Sequence, residues 1–142
     1  MNDVIINKIA TIERCLDRIT IVYKEVGDKF AIDHTRQDSI VLNLQRACEA
    51  SIDIANYINK QQKLGIPQSS RDSFDLLFKA QLLSEELTSN LKKMVGLRNI
   101  AVHDYQELNI PIIKYVIEHH LTDFELFIKV IQKLLGSKSN DE

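Results

Sequence analysis

Residues 3–26 read DVIINKIATIERCLDRITIVYKEV, and the pattern of this segment indicates the fold class. Its apolar side chains recur at alternating steps of four and three residues, which places them along one face of a helix. The residues on this face are Ile5, Ile9, Ile12, Leu16, Ile19, Tyr23 and Val26. Gly27 and Asp28 follow and predict the end of the helix. The pattern therefore predicts a long amphipathic helix that buries one side against other helices.

The same periodicity continues along the chain and predicts four more helices. They cover residues of about 35–64, 71–81, 85–103 and 110–135. Gly65 and Pro67 stop the first of these four, because Gly suits the left-handed position after a helix and Pro cannot continue one. Ser84 is expected to cap the helix at 85–103, and Asn109 with Pro111 is expected to open the last helix.

Turn-forming residues are scarce in this chain. Four glycines and two prolines in 142 residues are too few for an all-β sandwich or barrel, which needs a turn every ~8–12 residues. The predicted fold class is all-α: an antiparallel four-helix-type bundle with an additional short helix, the one at 71–81. One domain is expected over residues 1–135, followed by a polar tail at 136–142.

The charge balance and the two cysteines exclude several classes of protein. The 18 basic and 20 acidic residues give a net charge of −2, which excludes a generally basic nucleic-acid coat. No stretch approaches the ~18 apolar residues of a membrane span, and no signal-peptide pattern opens the chain. Cys15 and Cys48 lie among apolar residues, so we expect buried free thiols in a cytoplasmic protein that does not associate with membranes. Two cysteines also exclude a four-cysteine zinc site.

Arg98 departs most clearly from the apolar pattern. On a helical wheel it falls near the centre of an arc of apolar residues, which are Leu87, Leu91, Met94, Val95, Leu97, Ala101 and Val102. An arginine in such a place must be paired, or must line a cleft that admits solvent or an anion. A salt bridge to a carboxylate on a neighbouring helix, such as Glu49, is one interpretation, and an anion site is the other.

A second stripe of the same predicted helix contains Lys92, Gly96, Asn99 and His103. Asn99 and His103 are four residues apart and can touch, so the amide can set the orientation of the imidazole. Gly96 costs ~1 kcal/mol relative to Ala inside a helix. We therefore expect that it allows the close approach of another helix, a second subunit or a ligand.

Together these residues suit a phosphodiester. Arg98 and His103 lie ~140° apart on an ideal helix, but long side chains or a helix end near His103 would let both reach one site. Tyr105 returns to the stripe of Arg98 if helical geometry persists. Arg98 can donate two hydrogen bonds to phosphate oxygens, and His103 can transfer a proton near neutral pH. This chemistry needs no metal and no cofactor.

The motif Arg98-x4-His103-x-Tyr105 opens with Arg98-Asn99 on the penultimate helix of an all-α domain, and it resembles the HEPN superfamily. It is most similar to the HepT-like toxins of the MNT–HEPN toxin–antitoxin systems. The stretches LNLQRACEA at 42–50 and GIPQSS at 65–70 are also similar to members of this group.

This resemblance implies the toxin of a type VII-like toxin–antitoxin system, a metal-independent endoribonuclease that cleaves RNA as a homodimer. It implies that Arg98 binds and polarises the scissile phosphate, with the residues of both protomers in one cleft. His103 would be the general acid or base, and Asn99 would orient the site. The implied partner is a nucleotidyltransferase antitoxin of the MNT type. Tyr105 matches the tyrosine that accepts adenylyl groups in such systems, and a bulky, negatively charged nucleotide there would block an incoming phosphate.

Two other functions compete with this one. A HEPN-type bundle without catalysis would only bind a nucleotide, RNA or a nucleotidyltransferase partner, and a helical interaction module would have no active site. Lys92 and Lys93 form either a positive path for RNA or a solvated face, together with Arg71, Lys79 and Arg98.

The adjacent histidines His119 and His120 are a further candidate site. They point ~100° apart on a helix, so the sequence favours structural or surface roles for them over a metal site.

Overall fold

The computed structural model describes residues 2–140, with residues 137–140 described by their backbone alone. Within this part of the chain there are six α-helices and no strand. In chain order they are α1 (Asp3–Val26), α2 (His34–Gln61), α3 (Ser70–Lys79), α4 (Glu85–His103), α5 (Ile110–His119) and α6 (Leu121–Asn140). Short 3-10 turns follow α1 at Gly27–Lys29 and α4 at Tyr105–Glu107. The prediction of an all-α chain is confirmed.

The four long helices form the bundle that the periodicity predicts. Helix α1 packs on α2, α2 on α4, α4 on α6 and α6 on α1, and α2 also contacts α6 across the bundle. Helices α1 and α2 are antiparallel, because Lys8 near the start of α1 pairs with Asp53 near the end of α2 at 2.8 Å. The short helix α3 packs against α2 and α4, and α5 packs against α6.

Burial of one apolar face of each helix holds the bundle together. The isoleucine, leucine and valine residues of the predicted α1 face are all buried, and Tyr23 packs beside them. On α2 the buried face includes Ile40, Leu44, Ile54 and Ile58. Each such side chain stabilises the fold by ~1.5–3 kcal/mol. The rings of Phe74 on α3 and Phe127 on α6 meet edge to face, with centroids 5.7 Å apart.

Capping side chains begin two helices where the sequence predicts them. The Ser84 hydroxyl accepts a hydrogen bond of 3.1 Å from the backbone N–H of Leu87, in the first turn of α4. Asn109 accepts one of 3.1 Å from the N–H of Ile112, and a proline occupies the first turn of α5. These bonds satisfy backbone donors that have no partner inside the helix.

The end of α2 differs from the prediction. The helix ends at Gln61, three residues before Leu64, and Lys63 rather than Gly65 adopts the left-handed backbone that closes it, with φ 54°. The N–H of Leu64 bonds to the carbonyl of Asn59 at 2.9 Å, which completes a Schellman turn before the glycine is reached. The predicted role of Gly65 as the helix stop is therefore wrong.

The predicted last helix is two helices. Helix α5 ends at His119, and His120 has φ −125° and ψ 1°, outside helical geometry. The N–H of His120 still bonds to the carbonyl of Val116 at 2.8 Å, while its ring nitrogen Nδ1 lies 2.8 Å from Oδ2 of Asp123 in α6. The apolar periodicity continues across this break, which is why the sequence predicts one helix.

The end of the chain also differs from the prediction. Helix α6 is described as far as Asn140, so residues 136–140 of the predicted tail are helical. Residues 141 and 142 lie outside the described residues, and the division into a domain and a tail stays a prediction.

Two further sequence expectations concern the core and the membrane. Cys15 and Cys48 are both free and buried, as predicted, and burial raises the pKa of the Cys48 thiol to about 12. Among the described residues, no helix combines the length and the apolar character that crossing a bilayer requires.

Candidate active site

The predicted site residues lie in the second half of α4 and in the turn after it. Helix α4 ends at His103, because Asp104 has φ −154° and ψ 59°, and the 3-10 turn Tyr105–Glu107 follows. The expectation that continued helical geometry returns Tyr105 to the stripe of Arg98 is therefore wrong. The helix does end at His103, as the sequence suggests, and His103 is its last residue.

Arg98 points inward between three helices. Its Nη2 donates a hydrogen bond of 2.9 Å to Oγ of Ser70, the first residue of α3. Its guanidinium also interacts with the thiol of Cys48 on α2, where its positive charge opposes the rise of the Cys48 pKa that burial causes. The Nε atom of Arg98 is buried and has no hydrogen-bond partner among the described residues.

The salt-bridge interpretation of Arg98 is wrong for the part of the chain that the structure describes. None of its ion pairs involves Arg98. Glu49, the candidate partner, instead accepts a hydrogen bond of 3.2 Å from Nε2 of Gln45 on the same helix. A half-buried cation without a carboxylate partner keeps its charge available for an anion.

A small cavity lies beside Arg98, with a volume of about 10 Å³. Its walls are largely apolar and comprise Val41, Leu44, Gln45, Met94, Leu97, Arg98, Ala101, Leu108 and Ile113. A cavity needs ~10–15 Å³ to hold one water molecule. A phosphate group does not fit inside it, so an anion reaches Arg98 from outside this cavity.

His103 is exposed at the end of α4 and makes no hydrogen bond or ion pair with the other described residues. Asn99, one turn earlier, is half-buried, and the two side chains are not hydrogen-bonded to each other. The predicted orientation of the imidazole by Asn99 thus stays a prediction. The imidazole itself is free to meet a substrate.

Tyr105 is tied to α2. Its hydroxyl donates a hydrogen bond to Oδ1 of Asp38, in the second turn of that helix. Burial, together with this hydrogen bond and the negative charge of Asp38, raises the pKa of Tyr105 from 10.0 to about 12. The side chain is nevertheless 43% exposed, so another protein can reach it.

A groove of about 480 Å³ lies along another face of α4. It is lined by Arg71, Asn90, Lys93, Met94, Gly96, Leu97, Ile100, Ile112, Tyr115, Val116 and His120. This face of α4 extends to His103, because the steps from Gly96 to Ile100 and from Ile100 to His103 are four and three residues.

The close approach predicted at Gly96 is made by Arg71 of α3. A Cβ at Gly96 would come within 2.7 Å of Nη2 of Arg71, whose Nε also donates a hydrogen bond of 3.4 Å to the carbonyl of Lys92. Lys92 pairs with Asp75 at 3.0 Å, whereas neither Arg71 nor Lys93 has an ion pair among the described residues. Two cations are thereby left free at the rim of the groove.

His119 and His120 have packing partners. The ring of His119 lies against Tyr115, with centroids 4.5 Å apart, and His120 pairs with Asp123. Among the described residues, no group of three or more His, Cys, Asp or Glu side chains is placed to hold a metal ion. These contacts agree with the structural role that the sequence favours.

Two residues of this region were not singled out by the sequence. Ser70 is separated from Arg98 by 28 residues, and Asp38 is separated from Tyr105 by 67. Neither has a local signal, because each contact depends on which helices become neighbours. Ser70 lies within the stretch GIPQSS that resembles the family, which is the one hint that the sequence offers.

Comparison with known proteins identifies the family of this chain. A family model described as Ribonuclease HepT-like matches residues 12–131, which include the whole motif. The chain is 67% identical over 132 residues to the mRNA nuclease HepT of Shewanella oneidensis, covering 93% of this chain and 98% of that protein. It is 30% identical over 92 residues to the tRNA nuclease HepT of Aphanizomenon flos-aquae, covering 65% of this chain and 63% of that protein.

A solved structure of a relative has the same fold. The tri-AMPylated HEPN toxin of Shewanella oneidensis, in complex with its MNT antitoxin, superposes with a TM-score of 0.89 at 65% identity, covering 94% of this chain and 99% of that chain. The family resemblance based on Arg98, Asn99, His103 and Tyr105 is thus confirmed, and with it the ribonuclease class. This chain belongs to the ribonuclease HepT-like family.

Proposed function

We propose that this chain is the toxin of a type VII-like MNT–HEPN toxin–antitoxin system and cleaves RNA with Arg98 and His103. The observation that carries the proposal is the environment of Arg98: it is half-buried, hydrogen-bonded to Ser70, and without a carboxylate partner among the described residues. The 67% identity to a protein named mRNA nuclease HepT supports it. The proposed place of action is the cytoplasm, where RNA and nucleoside triphosphates are available.

In the proposed mechanism Arg98 binds the scissile phosphate. Its guanidinium donates N–H groups to the non-bridging oxygens and stabilises the charge that builds in the transition state. His103 removes the proton of the ribose 2′-hydroxyl, whose oxygen attacks phosphorus while the 5′-oxygen leaves and takes up a proton. Asn99 orients the imidazole in the substrate complex. Because Arg98 supplies charge and His103 moves protons, the mechanism proposed here is metal-independent and uses no cofactor.

The site is proposed to be shared by two copies of the chain. One chain offers only a cavity of about 10 Å³ beside Arg98, while His103 stands exposed at the end of α4 without a partner in the described part of the chain. A homodimer would let Arg98 and His103 of both protomers line one cleft that encloses a phosphate.

The groove along α4 is the proposed path of the RNA. Arg71 and Lys93 at its rim can bind phosphates, and the exposed ring of Tyr115 can stack on a base. Lys92 is paired with Asp75, and Lys79 does not line the groove, so the positive path is narrower than the sequence suggests. Few phosphate contacts imply that RNA binding depends only weakly on salt.

The proposed partner is a nucleotidyltransferase antitoxin of the MNT type, which adenylylates Tyr105. Tyr105 is exposed and lies two residues after His103. The solved complex of the Shewanella oneidensis toxin, which is tri-AMPylated and bound to an MNT antitoxin, supports both the partner and the modification. An adenylyl group adds bulk and negative charge beside the site, and both oppose the entry of an RNA phosphate.

The test of catalysis measures cleavage of single-stranded RNA by the purified protein in the presence of EDTA. Mass spectrometry of the products is expected to find 2′,3′-cyclic phosphate and 5′-hydroxyl ends. Arg98→Ala and His103→Ala are each expected to lower the rate by at least ~10²-fold. The matched controls Arg14→Ala and His34→Ala, both at exposed positions, are expected to cleave like the parent. Equal cleavage by all four variants would refute the assignment, and RNA binding without cleavage by the parent would favour the non-catalytic module.

The shared site has its own test. Arg98→Ala and His103→Ala chains with different tags are co-expressed, and the mixed dimer is purified through both tags in turn. A composite cleft in the mixed dimer still has one Arg98 and one His103, so part of the cleavage activity is expected to return. A mixed dimer as inactive as either parent variant would mean that each chain works alone.

A further inference from the structure

We infer that Asp38 is the proton acceptor that activates Tyr105 for transfer of the first adenylyl group. This inference rests on the proposed function, because it concerns the modification of Tyr105. It deepens that function by assigning a catalytic group of the modification reaction to the toxin chain itself.

The first observation is the direct contact. The Tyr105 hydroxyl donates its hydrogen bond to Oδ1 of Asp38, so the atom that must lose a proton already faces a carboxylate. Asp38 forms no ion pair among the described residues, and it is exposed. The carboxylate can therefore accept the proton and pass it on to water.

The second observation is that Asp38 is held in place. The side chain of Asp33 accepts a hydrogen bond of 3.0 Å from the N–H of Arg36 and caps the start of α2. The buried side chain of Gln37 donates one of 2.7 Å to the carbonyl of Phe30. Both contacts anchor the first turns of α2, so Asp38 is presented from a rigid element.

The turn that carries Tyr105 is also fixed. The N–H of Leu108 bonds to the carbonyl of Tyr105 at 3.1 Å, and the N–H of Glu107 bonds to the carbonyl of Asp104 at 2.9 Å. The phenol is thus pre-positioned on the carboxylate while 43% of the side chain stays exposed to an incoming enzyme.

The chemistry of the transfer requires such a group. The Tyr105 oxygen attacks the α-phosphorus of ATP, the bond between that phosphorus and the pyrophosphate oxygen breaks, and pyrophosphate leaves. The phenolic proton moves to Asp38 as the new bond forms. A phenol whose pKa is about 12 is almost entirely protonated at neutral pH and is a weak nucleophile, so the attack needs a base.

Asp38 can act only on the first transfer. Once Tyr105 is adenylylated, its oxygen is a phosphodiester oxygen without a proton, and any further adenylyl group must be added to another hydroxyl. The inference therefore predicts a defect that is confined to the first step, which a general loss of docking or folding would not produce.

The experiment follows adenylylation by intact-mass spectrometry, with ATP and the cognate nucleotidyltransferase. Asp38→Asn keeps a hydrogen-bond acceptor but cannot take the proton, and it is expected to slow the first addition by ~10²-fold or more. Chains that already carry one adenylyl group are expected to gain further groups at the parental rate, so less singly modified chain accumulates at a given total conversion than in the parent. Asp38→Glu is expected to restore part of the rate, because it keeps the carboxylate.

The matched control is Glu107→Gln, which removes one exposed negative charge from the turn of Tyr105 without touching its hydroxyl. It is expected to be modified like the parent. Asp38→Asn chains modified at the parental rate would overturn the inference while leaving the proposed function intact. A parent that gains no mass, or Tyr105→Phe chains modified like the parent, would instead remove the proposed modification of Tyr105 and the inference with it.

Discussion

Nη2 of Arg98 on α4 donates a hydrogen bond of 2.9 Å to Oγ of Ser70, the first residue of α3. This bond ties the proposed phosphate-binding group to a neighbouring helix. It occupies one of the five N–H donors of the guanidinium and leaves others for a substrate. Ser70 is therefore expected to act as a positioning residue for Arg98.

Ser70→Ala is expected to reduce RNA cleavage about tenfold, because a hydrogen bond to a charged group is worth ~1.5–3 kcal/mol and only part of it acts in the transition state. The measurement compares kcat and KM for a single-stranded RNA. Ser89→Ala, an exposed serine on α4, is the control and is expected to match the parent. In an Arg98→Ala background Ser70→Ala is expected to have no further effect, and an additive loss would contradict the positioning role.

Two glycine substitutions are expected to change the free energy of unfolding in opposite directions: Gly96→Ala is expected to raise it, and Gly65→Ala is expected to lower it. Gly96→Ala gains helix propensity of up to ~1 kcal/mol, and the atom in its way, Nη2 of Arg71, is the end of a flexible side chain. Gly65→Ala is expected to lower the free energy of unfolding by ~1–3 kcal/mol, because φ is +133° and Leu76 lies 3.1 Å from the new Cβ. Urea denaturation of both variants checks this. The reverse order of stability would contradict it.

The pKa of Tyr105 is expected to fall in Asp38→Asn. It is not expected to reach 10.0, because burial, the larger cause of the shift, remains. Carbon-13 NMR of tyrosines labelled at Cζ measures the titration. Tyr23 is the internal control: burial and Glu118 raise its pKa to about 12, and this value is expected to stay unchanged. A pKa of Tyr105 that does not move would contradict the contact with Asp38.

The same shift has a consequence for stability. Since the pKa of folded Tyr105 lies above its value of 10.0 in the unfolded chain, its contribution is fully present below pH 10. This contribution is lost as the pH rises through about 12. Between pH 10 and about pH 12, the free energy of unfolding is expected to fall less steeply with pH in Tyr105→Phe than in the parent.

Asp123→Ala is expected to lower the free energy of unfolding by ~2–3 kcal/mol, because it removes the partner of His120 at the junction of α5 and α6. The carboxylate is buried and also accepts a hydrogen bond of 3.4 Å from Asn90 on α4. Chemical denaturation measures the effect, with Asp17→Ala, an exposed aspartate on α1, as the control. Equal stability of the two variants would show that the junction does not depend on this pair.

The elements that could be predicted are those with a local cause. The four-and-three spacing of the apolar residues places the long helices, and Ser84 and Asn109 mark where two of them begin. The break at His120 could not be predicted, since it interrupts an apolar stripe that continues without glycine or proline. The end of α2 could not be predicted either, because Lys63, a residue other than glycine, adopts the left-handed backbone that closes the helix.

The residues of the proposed site also fall into those that local spacing predicts and those that it does not. The residue spacing is enough to place a HEPN-type motif on one helix, with Arg98 on an apolar face and His103 five residues later, because helical spacing is a local property of the chain. The contact of Arg98 with Ser70 rather than Glu49, and that of Tyr105 with Asp38, follow from the folded arrangement of the helices. These partners lie 28 and 67 residues apart, so the packing of the helices, and not the spacing of residues, brings them together.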